Sequence, residues 1–219
     1  MRNSPPHQPG CRPGGLSRRR LAAALALGAA LAGCNSSSRD GGAVRPLAPQ
    51  DSAQQALAEY DTNKDGALDA KEIAQSPGLK ALAATMGRGA NARLTADEIA
   101  EQFQVLQNGA RTIGTNCVVL LDGKPLADAS VRFVPEKFLG PGYKPATGKT
   151  NAGGSATMIT EGLQDGVAAG LYRVEITKPD ASGRETVPAR YNTQTTLGCA
   201  VGIDNRSSSS DVTFRITSK

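Results

Sequence analysis

The chain has 219 residues, with 25 basic and 20 acidic side chains, a formal charge of +5, four cysteines, one histidine and no tryptophan. Five of the basic residues (Arg2, Arg12, Arg18, Arg19 and Arg20) lie within residues 1–33, where there is no acidic residue, so the remainder holds 20 of each sign and is neutral. The positive charge therefore does not argue for a nucleic-acid-binding surface, and with His7 in the same segment the rest of the chain has no Ser-His-Asp or Cys-His arrangement for nucleophilic catalysis.

The N-terminus reads as an export signal. Arg18–Arg20 precede an apolar run from Leu21 to Ala32, too short for the roughly 20 residues of a membrane-spanning helix but suited to the core of a signal peptide. The run ends in Leu31-Ala32-Gly33-Cys34, which resembles the lipobox of bacterial lipoproteins. The resemblance implies that residues 1–33 are removed and that Cys34 becomes a lipidated first residue. Acyl chains there would anchor the protein to the membrane of the cell envelope, facing the periplasm or the exterior. An ordinary secretory signal that ends near a cysteine is the other reading. Ser17-Arg18-Arg19-Arg20-Leu21 also resembles part of a twin-arginine export motif. Residues 34–50 are rich in Ser, Gly and Pro and poor in apolar side chains, which describes a flexible tether.

Residues 51–108 have helical character. Asp51-Ser52 is expected to cap a helix that runs to Tyr60, with Leu57 and Tyr60 on its packed face. Pro77 suits the first turn of a later helix, in which Leu79, Leu82 and Met86 recur at helical spacing. Between them lies Asp61-Thr62-Asn63-Lys64-Asp65-Gly66-Ala67-Leu68-Asp69-Ala70-Lys71-Glu72, which matches D-x-[DN]-x-[DN]-G-x5-E throughout. Calcium takes six to eight oxygens. Asp61, Asn63 and Asp65 offer side-chain oxygens at positions 1, 3 and 5, and Ala67 a main-chain carbonyl at position 7. Asp69 stands at position 9, where contact often runs through water, and Glu72 offers a bidentate carboxylate at position 12. Gly66 permits the sharp turn. A polar surface turn before a helix is the bland alternative. The segment resembles the EF-hand family, and that resemblance implies a calcium site.

The segment Leu68-Asp69-Ala70-Lys71-Glu72-Ile73 aligns with Leu94-Thr95-Ala96-Asp97-Glu98-Ile99. The alignment places a second loop at Gly87–Glu98. It keeps Glu98 at position 12 but has Gly87, Gly89 and Asn91 where the first three ligands belong. EF-hands usually pair through their apolar eighth positions, here Leu68 and Leu94. The expectation is a small helical pair with a degenerate second hand and one calcium ion.

From residue 111 the pattern changes to strands. Tyr172, Val174 and Ile176 alternate with Arg173, Glu175 and Thr177, and Val212, Phe214 and Ile216 alternate with Thr213, Arg215 and Thr217. Val131 and Phe133 flank Arg132, and Asn116–Leu121 is more continuously apolar. Asp122-Gly123 signals a tight hairpin between the first two strands. Short strands at this density favour an antiparallel sandwich, giving an α+β multidomain chain. The stretch Val118–Pro135, with TGKTNAGGSATM from Thr147 to Met158 and Gly170–Val174, resembles carboxypeptidase regulatory-like, transthyretin-like domains. Pro188-Ala189-Arg190-Tyr191-Asn192 is similar to a segment of such modules in lipoproteins of planctomycete-like bacteria. The resemblance implies, over residues 111–219, a non-catalytic β-sandwich used in packing or adhesion. Cys117 and Cys199 either form a disulfide, worth about 2–4 kcal/mol in an exported protein, or sit buried as two small hydrophobes.

The remaining material for catalysis is poor. The carboxylates outside the first loop are scattered, and Asn151-Ala152-Gly153-Gly154 reads as a turn, since no helix pattern follows to make a phosphate cradle. The expected protein is a non-catalytic, calcium-binding envelope lipoprotein with an unidentified protein partner. The alternative is a structural or accessory subunit of an envelope enzyme or transport assembly, with a vestigial calcium site.

Overall fold

Helix α1 (Pro49–Tyr60) opens the part of the chain that the structure, a computed structural model, describes: residues 47–89, 91–108, 112–163, 166–202 and 209–219. The signal segment, Cys34 and most of the tether lie outside these residues. Pro49 starts the helix after Ala48, which makes no side-chain cap bond. The fixed φ of proline suits a first helical turn, and its missing N–H is one that the turn would leave unpaired. Asp51 and Ser52, expected as the cap, therefore fall inside the first turn, and Ser52 is buried.

Strand β1 (Ala67–Leu68) and helix α2 (Ala70–Ile73) follow. The Asp69 side chain accepts from Lys71 and Glu72 N–H while Glu72 reaches back to Asp69 N–H, so the short helix has a complete capping box. Helix α3 (Pro77–Thr85) is capped by Ser76, whose Oγ accepts from Leu79 N–H at 3.2 Å. Strand β2 (Leu94–Thr95) leads into helix α4 (Ala96–Asn108). β1 and β2 pair antiparallel with Leu68 opposite Leu94, both fully buried.

The second half is a curled sheet. Its strands are β3 (Thr112–Leu121), β4 (Lys124–Pro125), β5 (Ser130–Pro135), β6 (Ala146–Lys149), β7 (Ser155–Thr160), β8 (Val167–Ala168), β9 (Gly170–Thr177), β10 (Gly198–Val201) and β11 (Ser209–Ile216). They pair in the order β10-β9-β5-β6-β7-β3-β11, with β4 and β8 added on β3. Residues at alternate positions fill the space inside the curl, among them Val131 and Phe133, Ala156 and Met158, Tyr172, Val174 and Ile176, and Phe214 and Ile216. The chain is α+β with a sandwich-like sheet. One pair departs from the expected antiparallel order, because β11 runs parallel to β3 from Ser209↔Gly114 to Ile216↔Leu121.

The turn at Asp122-Gly123 has φ of +50° and +79°, as a two-residue loop of the primed type requires. Its return strand is only β4. Pro125 has no N–H for the ladder, and after Leu126 donates to Val119 O at 3.0 Å the chain leaves. β5, the strand expected to complete this hairpin, pairs with β6 and β9 instead.

Helices and sheet share a second core. Leu79, Leu82, Ile99 and Phe103 pack with Phe138, Leu139 and Leu171. The Phe138 ring stacks on Phe103 with centroids 5.9 Å apart and meets the edge of Tyr60 at 6.3 Å. Two glycines allow the approach of α3: a Cβ on Gly198 would lie 1.9 Å from Pro77 O, and one on Gly78 would lie 2.7 Å from Glu136 Cγ. Glu136 is 6% exposed and accepts from Gly78 N–H at 2.8 Å and Ser76 Oγ at 2.9 Å, so it satisfies a first-turn N–H of α3. Burial raises its pKa.

Cys117 on β3 and Cys199 on β10 are buried free thiols. Cys117 Sγ lies 3.7 Å from Met158 Sδ, and burial pushes its pKa up to about 11 and raises that of Cys199 as well. In this arrangement both cysteines are buried among apolar neighbours as small hydrophobes.

Candidate metal centre

The loop Asp61–Glu72 is curled by its own acceptors. Asp61 N–H still closes α1 by donating to Leu57 O at 2.8 Å, which fixes the loop's first residue to the helix end. Asp61 Oδ2 accepts from Gly66 N–H at 3.0 Å, Asn63 Oδ1 from Asp65 N–H at 2.9 Å, and Asp65 Oδ1 from Ala67 N–H at 3.0 Å. Lys64 and Gly66 take φ of +58° and +81°, and these left-handed steps reverse the chain within the loop.

Glu72 joins the two ends. Its Oε1 accepts from Thr62 N–H (2.9 Å), Thr62 Oγ1 (2.9 Å) and Asn63 N–H (3.2 Å), while Oε2 accepts from Asp69 N–H at 2.8 Å. These donors favour the ionised carboxylate and hold its pKa below the ordinary range, with the Asp69 bond the largest cause. Glu72 is 2% exposed although it belongs to a polar loop. Asp65 is also depressed, chiefly by Arg93, whose Nη1 donates to Asp65 Oδ2 at 3.0 Å. Thus a cation from the second loop is paired with one of the expected ligands.

Among the described residues, no three His, Cys, Asp or Glu side chains form a group that would hold a metal by themselves. The loop brings Asp61, Asn63 and Asp65 together through backbone bonds and closes Glu72 over positions 2 and 3. Asp69 is occupied as the cap of α2. The donors are all oxygens, including one side-chain amide and the Ala67 carbonyl, with no imidazole or thiolate. That chemistry fits a hard cation. Asp61, Asn63, Asp65, Ala67, Asp69 through water, and Glu72 are the residues that would hold calcium.

The second loop repeats one feature of the first. Glu98 Oε2 accepts from Thr95 N–H at 2.9 Å, as Glu72 Oε2 accepts from Asp69 N–H. Its other partner is Arg88, which lowers the Glu98 pKa to about 2. Sequence reasoning did not assign Arg88 or Arg93. Both stand inside the aligned loop, at its second and seventh positions, so the repeat itself carried the signal. Glu136, which ties α3 to the sheet, leaves no such trace.

Compared with known proteins, the chain matches no protein-family model, no curated protein and no solved structure.

Proposed function

We propose that this protein is a calcium-binding, membrane-anchored lipoprotein of the bacterial envelope, non-catalytic, whose sheet domain packs against or adheres to a protein partner. The observation that carries the calcium reading is the closure of an all-oxygen loop by Glu72, whose carboxylate bonds the backbone at both ends of the motif. An EF-hand pair of which only the first member binds the ion is consistent with Leu68 opposite Leu94 and with glycines at the first and third positions of the second loop. The bound ion would supply a divalent positive charge that neutralises the loop carboxylates and joins α1 to α2. Anchoring rests on the sequence at Leu31–Cys34 and export on the segment before it. Among the described residues, no helix is long and apolar enough to cross a membrane. The resemblance of residues 111–219 to carboxypeptidase regulatory-like modules supports the sandwich's role in packing or adhesion.

Calcium titration by calorimetry, with melting curves in calcium and in chelator, tests the metal. One saturable ion that raises the melting temperature is the expected result. No heat at millimolar calcium overturns it. Metabolic labelling with an acyl precursor tests the anchor, with incorporation expected in the natural chain and lost in Cys34→Ser. A second reading, an accessory envelope subunit with a vestigial site, is favoured by the Arg93 guanidinium on Asp65. Substitution of Asp61 and Glu72 separates the two, since only a working site loses stability or adhesion in calcium.

A further inference from the structure

The two loops align position by position in sequence. In the first, position 7 gives the Ala67 carbonyl and position 12 the Glu72 carboxylate. In the second, position 7 gives the Arg93 carbonyl and position 12 gives Glu98. Arg88, at position 2 of the second loop, folds its guanidinium onto both. Nη1 donates to Arg93 O and to Glu98 Oε2 (3.1 Å), and Nη2 donates to Glu98 Oε1. One planar cation therefore engages the two oxygen groups that correspond to ion ligands in the first loop. The remaining acceptor capacity of Glu98 is met by Thr95 N–H at 2.9 Å and Thr95 Oγ1 at 3.1 Å.

We propose that the second loop is a cation site with a resident internal ligand: the Arg88 guanidinium stands where a metal ion would stand and keeps this loop closed without calcium. Chemistry favours this exchange. A guanidinium is always charged, and its fork of N–H donors matches a carboxylate bidentately. A calcium ion here would meet glycine at positions 1 and 3, leaving one carboxylate, one main-chain carbonyl and the Asn91 amide oxygen. Arg88 needs only the carboxylate and the carbonyl. It is half-buried with Glu98, each side chain being 32% exposed, so the pair is shielded in part from solvent. The β2 side of the β1–β2 pair is in this way held permanently, and the β1 side alone is left to respond to metal. The comparison of positions rests on reading the first loop as a calcium site; the arginine contacts do not.

The test uses the full chain. Melting temperature is measured for the natural protein, Arg88→Gln, Arg88→Lys and Glu98→Gln, in saturating calcium and in EDTA, with bound calcium counted by calorimetry. Arg88→Gln is expected to melt about 2–4 °C lower in both conditions, and Arg88→Lys, which keeps the charge but not the fork, to regain less than half of the loss. The natural protein should bind no calcium that Glu98→Gln abolishes. An Arg88→Gln protein that melts like the natural one overturns the proposal, as does a second calcium ion dependent on Glu98. If no calcium binds but Arg88→Gln still loses stability, the arginine stands and the calcium reading of the first loop falls. One bound ion with Arg88→Gln indifferent gives the reverse. Should Arg88→Gln fail to fold, nitrogen-15 spectra of the natural protein in EDTA decide. Slowed rotation of one arginine guanidinium, absent in Arg88→Lys, supports the resident cation, and a freely rotating Arg88 overturns it.

Discussion

The first and second loops keep a carboxylate at the same aligned position and differ in what surrounds it. In the first, Asp61, Asn63 and Asp65 crowd oxygens at the start of the loop, and the Glu72 carboxylate is held only by neutral backbone and hydroxyl donors. In the second, glycine replaces the first two of those oxygens, and Arg88 is bonded to Glu98 and to the Arg93 carbonyl. The difference teaches that a carboxylate at this position can be met by neutral donors alone, as at Glu72, or by an internal guanidinium, as at Glu98. The Glu72→Gln substitution should give the largest contrast. It is expected to abolish saturable calcium binding up to about 10 mM, at least tenfold above the dissociation constants of about 10⁻⁴–10⁻³ M usual for extracellular sites. Glu98→Gln should leave calcium binding in place. Calorimetry on the two proteins side by side checks both halves, and equal loss in both would erase the distinction between the loops.

The loops also differ in what lies beyond them. The first loop is entered from Tyr60, whose ring meets Phe138, and is followed by Ser76, whose hydroxyl bonds Glu136. A metal bound at Asp61–Glu72 would therefore act close to the contact between α3 and the sheet. Glu136→Ala leaves the buried Gly78 N–H without its acceptor, and a loss of about 1–3 kcal/mol is expected by denaturant unfolding. Glu136→Gln keeps an acceptor oxygen and removes the buried charge, so at neutral pH it should be neutral or stabilising. A large loss in both variants would mean that the charge, and not the acceptor, matters.

Acid separates the same groups by sign. Glu98 falls from an ordinary 4.5 to about 2, and Asp65 and Glu72 are also lowered. Their contributions are present above the ordinary value and vanish as pH falls through the folded one. Glu136 is raised, so its contribution is full at low pH and is lost as pH rises past its folded value. Melting curves in EDTA should therefore show stability falling between about pH 4.5 and 2, less steeply in Arg88→Gln, where Glu98 has lost the main cause of its shift. An unchanged acid slope in that variant would contradict the pairing.

These contrasts follow what was and was not legible in the sequence. Asp61–Glu72 could be read residue by residue because each offset demands a particular oxygen or a particular backbone angle, and the observed φ at Gly66 meets the latter. The inward faces of β9 and β11 could be read from Tyr172, Val174, Ile176, Phe214 and Ile216, since period two is a local property. Strand direction is not local. Residues Val212–Ile216 alternate equally well whether β11 runs with β3 or against it, so the parallel pair left no sign. The return strand after Asp122-Gly123 is not legible because the turn specifies a hairpin but not its length, which Pro125 limits. Glu136 looked like any charged residue after a strand. Only the arrival of α3, made close by Gly78 and Gly198, turns it into a buried cap.

The smallest predicted effect probes the one contact that crosses from loop to loop. Arg93 is an exposed side chain that donates to Asp65 Oδ2, so on the calcium reading a cation would compete with the ion for a shared carboxylate. Surface ion pairs of this kind are worth about 0.2–1 kcal/mol. Arg93→Gln should therefore tighten calcium binding about 1.4- to 5-fold, and the gain should shrink as salt screens the arginine. Its main-chain carbonyl remains in place for Arg88, so the melting temperature in EDTA should hardly change. Calorimetric titrations at low and high ionic strength check this. Weaker binding in Arg93→Gln would mean that the guanidinium orients Asp65 for the metal, so that the second loop assists the first and does not compete with it.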